Sequence, residues 1–151
     1  RAVPFVEPFA ETIGAGMSEQ NPVNVMGYRY PIITVNADTP EAEVYAMMKA
    51  IADTFDLFKD SNSIMPRWAM NLAGTPPMDA PFHDGAIRYL REAGIWKPEM
   101  QQWQDRTLRR LQTLRAAWAE FLPGARSRNL SEADFTKAWA ERRAAALASL
   151  N

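Results

Sequence analysis

The 151-residue chain contains no cysteine and a single histidine, His83. Without cysteine it has no disulfide framework, no thiolate zinc site and no cysteine nucleophile, and one histidine cannot form a histidine-pair metal site. No apolar run approaches the roughly 20 residues that span a bilayer. The formal net charge of −1 provides no general attraction to nucleic acid. We therefore expect no metal, no cofactor and no nucleic-acid partner.

The first 23 residues combine three prolines with the triplet Gly14-Ala15-Gly16, which predicts an irregular, loop-rich segment. Successive backbone N–H groups in such a loop can bind a carboxylate. The candidate ligand-binding residues are therefore Ile13, Gly14, Ala15, Gly16 and Met17. A plain connecting loop is the alternative, and the lysine of a phosphate-binding loop is missing after the triplet.

Arg29 is the remaining candidate ligand-binding residue, because it stands between Tyr28 and Tyr30. A guanidinium with aromatic neighbours suits bidentate binding of a carboxylate. In a strand, however, Arg29 would face away from both tyrosines, so a solvent-facing or salt-bridged role stays open. The β-branched run 32–35 that follows predicts a strand covered on both faces, and residues 25–30 predict a weaker one.

The rest of the chain has the periodicity of helices. Thr39 is the expected N-cap of a helix of about 20 residues, with Pro40 as its first residue. Further helices are predicted over 64–72 and from about 81–83 to 93–94. A long helix is predicted to begin after Pro98 and to end at Pro123-Gly124. A capping-box-like start at Ser131 predicts a last helix. The final 55 residues then form an antiparallel helical pair, or two helices that lie on a larger body.

His83 is followed by Asp84, which permits two interpretations. In an enzyme, His83 could act as a general base oriented by the aspartate. Adjacent residues cannot easily point at one another, so we favour the structural interpretation. In that interpretation His83 caps a helix and Gly85 permits close packing.

Two blocks of this sequence resemble TAXI-type solute-binding proteins, the extracytoplasmic receptors of TRAP transporters. The resemblance covers residues 1–96 and concerns the C-terminal part of those proteins. The first block is carried by Asn36, Ala37, Asp38, Thr39, Pro40, Val44, Tyr45 and Lys49. The second is carried by Pro81, His83, Gly85, Ala86, Tyr89, Glu92 and Gly94.

The resemblance implies a helix-rich α/β fold. Residues 1–96 would form the C-terminal portion of a two-lobed, type II-like periplasmic binding protein, and residues 97–151 would form a helical extension. It implies a periplasmic, non-enzymatic protein that binds a small solute, an organic acid or amino acid, in the cleft between its lobes. The protein would deliver that solute to TRAP membrane subunits. Because the first lobe is absent from these residues, we expect them to bind solute weakly or not at all by themselves.

A helical interaction module is the alternative function. An apolar stripe that includes Trp103 and Trp118 runs for more than five turns of the long helix. Such a stripe is typical of a helix that packs in a core, but it could also support self-association through the C-terminal helices. The arginines at 106, 109, 110 and 115 are expected to form a solvated face of the same helix.

Overall fold

The protein is described by a computed structural model over residues 7–27, 32–75 and 80–150. Helices account for 60% of these residues and the sheet has two strands, in agreement with a helix-rich α/β class. The strands are β1 (Glu7–Glu11) and β2 (Val23–Gly27). The helices are α1 (Glu41–Asp53), α2 (Phe55–Phe58), α3 (Met70–Ala73), α4 (Asp84–Glu92), α5 (Pro98–Ser127) and α6 (Glu132–Ala148), with a 3₁₀ turn at Met65–Trp68.

The chain forms two compact units, Arg1–Trp103 and Gln104–Asn151. The first contains both strands and the helices up to α4, and the second contains most of α5 and all of α6. The domain boundary predicted between residues 96 and 97 stays a prediction.

The first unit opens with an antiparallel hairpin, so the prediction of an irregular N-terminal segment is wrong for residues 7–11. Phe9 pairs with Val25, an aromatic–β-branched combination that stabilises antiparallel strands. Gly27 leaves room for the Phe9 ring, since a Cβ there would lie 2.5 Å from Phe9 Cε1. Pro8 is tolerated because a strand at the edge of a sheet does not need every N–H.

The strand predicted over residues 32–35 is not formed. Ile33 and Val35 are 48% and 39% exposed, so the expected burial on both faces is also wrong. The β-branched residues favour an extended backbone, but among the described residues no strand lies beside them to complete a ladder. The weaker prediction, residues 25–30, overlaps β2, and its last three residues lie outside the described part of the chain.

Helix α1 is shorter than its apolar pattern predicts. Pro40 is the N-cap in place of Thr39, and no side chain caps the helix. At the other end, the Thr54 hydroxyl donates to the Ala50 carbonyl oxygen at 2.7 Å, and the chain continues as α2 after a break. Threonine forms such local bonds readily, which explains the break at this position. The helix predicted over 64–72 is likewise divided, at Ala69, into the 3₁₀ turn and α3.

Helix α4 begins and ends where the sequence predicts. His83 is its N-cap, with Nδ1 accepting from the Gly85 N–H at 3.1 Å, so the predicted capping role is confirmed. Gly94, with a φ of +70°, follows the C-cap in the left-handed region that favours glycine.

The core of the first unit lies where α1 and α4 pack together. Its buried side chains are Val44 from α1 and Ala86, Ile87 and Leu90 from α4. Gly85 allows the two helices to approach closely, because a Cβ there would lie 2.9 Å from the Tyr45 nitrogen and nearer still to the Glu41 carbonyl oxygen. The predicted role of Gly85 in close packing is therefore confirmed.

In the second unit, α5 and α6 pair in antiparallel order through aromatic side chains. The ring centroids of Trp118 and Trp139 lie 4.8 Å apart, and those of Phe121 and Phe135 lie 5.3 Å apart. Such edge-on pairs add to the stabilisation that comes from buried area. Ser131 caps α6 as predicted, its Oγ accepting from the Asp134 N–H at 3.2 Å.

The prediction that Pro123-Gly124 ends the long helix is wrong, because α5 runs on to Ser127. A proline inside a helix costs about 3 kcal/mol through a lost hydrogen bond and a steric clash. Ala125, in the added turn, is only 2% exposed. The burial of this methyl group, worth about 0.8 kcal/mol, offsets part of that cost.

We expect Gly85→Ala to lower the free energy of unfolding by about 1–3 kcal/mol, because the new methyl group meets the α1 backbone, which cannot rotate away. Gly124→Ala is the matched control: it is also helical but has no atom within 4 Å of the added Cβ. It should raise stability by about 0.5–1 kcal/mol. Urea denaturation measures both. A Gly85→Ala variant as stable as the wild type would contradict the close approach.

Candidate functional site

The predicted ligand-binding loop lies between β1 and β2, at the end of the hairpin. It turns at Gly14, whose carbonyl oxygen accepts from the Met17 N–H at 3.1 Å. Gly16 has a φ of +77°, a conformation that most other residues adopt only with strain. The Asn21 side chain holds the turn by donating from Nδ2 to the Gly16 carbonyl oxygen at 2.8 Å. The loop therefore has a defined backbone conformation.

The base of this loop is fixed by an ion pair between Glu11 and Arg67. Two guanidinium nitrogens of Arg67 lie 2.6 and 3.2 Å from the two carboxylate oxygens of Glu11. The backbone N–H groups of Thr12 and Ile13 donate to the same carboxylate, each at 2.9 Å. The Glu11 side chain is only 17% exposed, so it is a mostly enclosed carboxylate with four donors.

These donors favour the charged form of Glu11. The hydrogen bond from Arg67, followed by that from the Ile13 N–H, lowers the pKa of Glu11 from 4.5 to about 2. The carboxylate is therefore ionised at any physiological pH. It joins the loop to the 3₁₀ turn that carries Arg67.

The five predicted loop residues divide into two groups. The N–H groups of Ile13 and Met17 are engaged within the protein, by Glu11 and Gly14. Gly14, Ala15 and Gly16 are exposed, and their N–H groups donate to no other described residue. Three successive donors of this kind can receive an anion from solution.

Arg29, the sixth predicted site residue, lies outside the described residues, as do both flanking tyrosines. Its contact with a ligand stays a prediction.

Six of the fifteen residues that carry the TAXI resemblance lie where α1 and α4 pack together: Val44, Tyr45, Gly85, Ala86, Tyr89 and Glu92. The Tyr45 hydroxyl donates to Glu92 Oε2 at 2.6 Å, which raises the pKa of Tyr45 above its usual value. The Arg88 guanidinium lies 4.3 Å from the centre of the Tyr45 ring and 3.4 Å from Glu41 Oε1. These contacts bind the two helices to each other, so Tyr45 and Glu92 have an architectural role.

The contribution of Glu11 and Arg67 to this site was not predicted from the sequence. A glutamate just before a glycine-rich turn is a weak signal that an acceptor lies near free N–H groups. Arg67 is 56 residues away along the chain, and no local pattern links it to Glu11.

The described residues contain no group of three or more His, Cys, Asp or Glu side chains placed to hold a metal ion. Within the same residues, no helix has both the length and the apolar character to cross a membrane.

Comparison with known protein families finds that residues 2–94 match the NMT1-like family. The chain belongs to the NMT1-like family. This is a periplasmic solute-binding-type family, of binding proteins rather than enzymes, and its members are typically extracytoplasmic. No curated protein and no solved structure matches the chain. Family membership indicates a solute-binding role for the segment that contains the loop, α1 and α4.

We expect Glu11→Gln to destabilise the protein at pH 7, because neutral glutamine cannot form the ion pair with Arg67. The stabilisation by Glu11 is complete above about pH 4.5 and is lost as the pH falls toward 2, since its pKa is lower in the folded state than in the unfolded state. The difference in unfolding free energy between wild type and variant should therefore shrink over that interval. Urea denaturation at pH 7, 4 and 2.5 measures it.

Glu19→Gln is the control, because Glu19 is an exposed carboxylate of the same loop. It should leave the unfolding free energy near that of the wild type at each pH. If the Glu11→Gln difference stays constant down to pH 2.5, the proposed ion pair does not account for it.

Proposed function

We propose that this protein is the solute-binding subunit of a TRAP-type secondary transporter of the TAXI class. In this proposal it captures a small carboxylate-bearing solute, an organic acid or amino acid, in a cleft between two lobes. It then delivers the solute to the membrane permease from the periplasm. Membership of a solute-binding family supports the general role, and the two resemblance blocks support the narrower class.

The loop at Gly14–Gly16 is the observation that carries the carboxylate part of the proposal. Its three N–H groups belong to exposed residues, and the backbone that carries them has a defined conformation because the Glu11–Arg67 pair and Asn21 fix both sides of the turn. A pre-ordered site avoids the entropic cost of ordering during binding. The loop already binds one carboxylate through adjacent N–H groups, that of Glu11, which supports the chemistry proposed for the neighbouring three.

Three exposed N–H groups alone provide weak binding, in the range of about 1 mM or above, since each hydrogen bond competes with water. Tighter binding in this proposal requires donors from a second lobe and from Arg29. The guanidinium of Arg29 would then bind the carboxylate that the loop N–H groups orient.

A helical interaction module is a second candidate, favoured by one observation. Trp118 remains 37% exposed although it contacts Phe121, Phe135 and Trp139. An exposed tryptophan edge is typical of protein interfaces. Size-exclusion chromatography with light scattering separates the two candidates: a salt-resistant dimer that Trp118→Asp abolishes would favour the module.

Titration of the ¹⁵N-labelled chain with succinate, followed by amide chemical shifts, tests the proposed site even at millimolar affinity. We expect saturable shifts at the amides of Gly14, Ala15 and Gly16, because these N–H groups receive the carboxylate. Succinamide, which has the same carbon skeleton without charge, should shift them several-fold less.

Ala15→Pro removes the middle donor and should weaken the succinate response of Gly14 and Gly16 by about threefold or more. Glu19→Gln, on the same loop, should leave the response unchanged. Equal shifts with succinate and succinamide would contradict a carboxylate site. So would succinate shifts centred on other parts of the chain.

A further inference from the structure

The α5–α6 unit contains a cleft that the solute-binding role does not use. Its volume is about 470 Å³. Both walls belong to the second unit, and the family match ends before them, at residue 94. The cleft is lined by Arg106, Arg109, Arg110, Ala144, Leu147, Ala148 and Leu150.

One wall of the cleft is a cluster of three arginines on α5. The spacing of Arg106, Arg109 and Arg110 places them on one face of the helix, where like charges at such separations repel. All three are exposed, and within the described residues none forms an ion pair or hydrogen bond. Arg142 of the same unit, in contrast, pairs with Glu120. The cluster therefore consists of three exposed positive charges that form no ion pair with a described acidic group.

The opposite wall is apolar and belongs to the end of α6 and the residues just after it. Leu147 and Leu150 are part-exposed there, and the two alanines leave space between them. An apolar wall facing a cationic one complements a molecule that has an anionic group and a hydrocarbon portion. The cleft volume lies within the range of about 300–1,000 Å³ that is usual for small-molecule sites.

We infer that this cleft binds an organic anion with a short alkyl chain. The carboxylate or phosphate group binds the guanidinium groups of Arg106, Arg109 and Arg110, and the chain packs on Leu147 and Leu150. Guanidinium groups bind carboxylate and phosphate through paired N–H donors, which a lysine cluster does not do as well. This site is separate from the Gly14–Gly16 loop and would be present even if the loop bound no solute.

Titration of the intact 151-residue chain with octanoate, followed through the methyl shifts of Leu147 and Leu150, tests the inference. Acetate supplies the anion alone and octanol the chain alone. We expect octanoate to bind at least tenfold more tightly than either. Octyl phosphate distinguishes a phosphate preference from a carboxylate preference, and both results support the site.

Two matched variants assign the binding energy. Arg109→Gln should weaken octanoate binding by about threefold to tenfold. Arg109→Lys should bind octanoate more tightly than Arg109→Gln but less tightly than the wild type, because lysine keeps the positive charge. Arg126→Gln, an exposed arginine of the same helix outside the cleft, should leave the affinity unchanged. Since all these positions are exposed, helicity measured by circular dichroism should not change.

Three results would overturn the inference. If octanol binds as tightly as octanoate, the cleft is only an apolar surface and the arginines do not bind the anion. Equal losses for Arg109→Gln and Arg126→Gln would indicate attraction by overall charge. Binding to vesicles of anionic phospholipid, without binding of octanoate or octyl phosphate, would assign the arginines to a membrane surface.

Discussion

The close approach of α1 and α4 at Gly85 is the constraint on which the first unit depends. Only glycine fits at position 85, because a Cβ there would meet the α1 backbone. The buried side chains beside it complete the core. Leu90 extends this core to Gly74, where an added Cβ would lie 2.5 Å from Leu90 Cδ2. Gly74 ends α3, which follows the 3₁₀ turn that carries Arg67. Through Arg67 and Glu11, the junction supports the candidate ligand-binding loop.

This arrangement separates the residues that carry the TAXI resemblance from the exposed N–H groups that could bind a solute. Tyr45, Glu92 and Gly85 belong to the resemblance blocks, and they hold helices together. The exposed donors lie on the hairpin loop, outside both blocks. The arginine cleft is separate again, since it lies on α5 and α6 beyond the family match. The chain thus carries two candidate anion sites, one on backbone N–H groups and one on side chains.

The parts of the fold that depend on local chemistry could be predicted from the sequence. The caps at His83 and Ser131 and the left-handed Gly94 follow from residue type and spacing. The predictions that are wrong concern segments whose structure depends on residues distant in the sequence. The run at 32–35 has strand propensity, but no strand lies beside it among the described residues. Helix α5 continues past Pro123, where a helix end was predicted. For the same reason the loop could be predicted as a candidate site, whereas its anchor, Arg67, could not.

Native-state hydrogen exchange tests most directly whether the α1–α4 junction is one cooperative structure. The reporters are the amides of Val44 and Ile87, which donate to Pro40 and His83 within the starts of the two helices. If the junction is the core of the first unit, their opening free energies agree within about 0.5 kcal/mol and fall together in Gly85→Ala. If either helix opens at markedly lower free energy than the other, or if only one responds to the substitution, the junction does not hold the unit together.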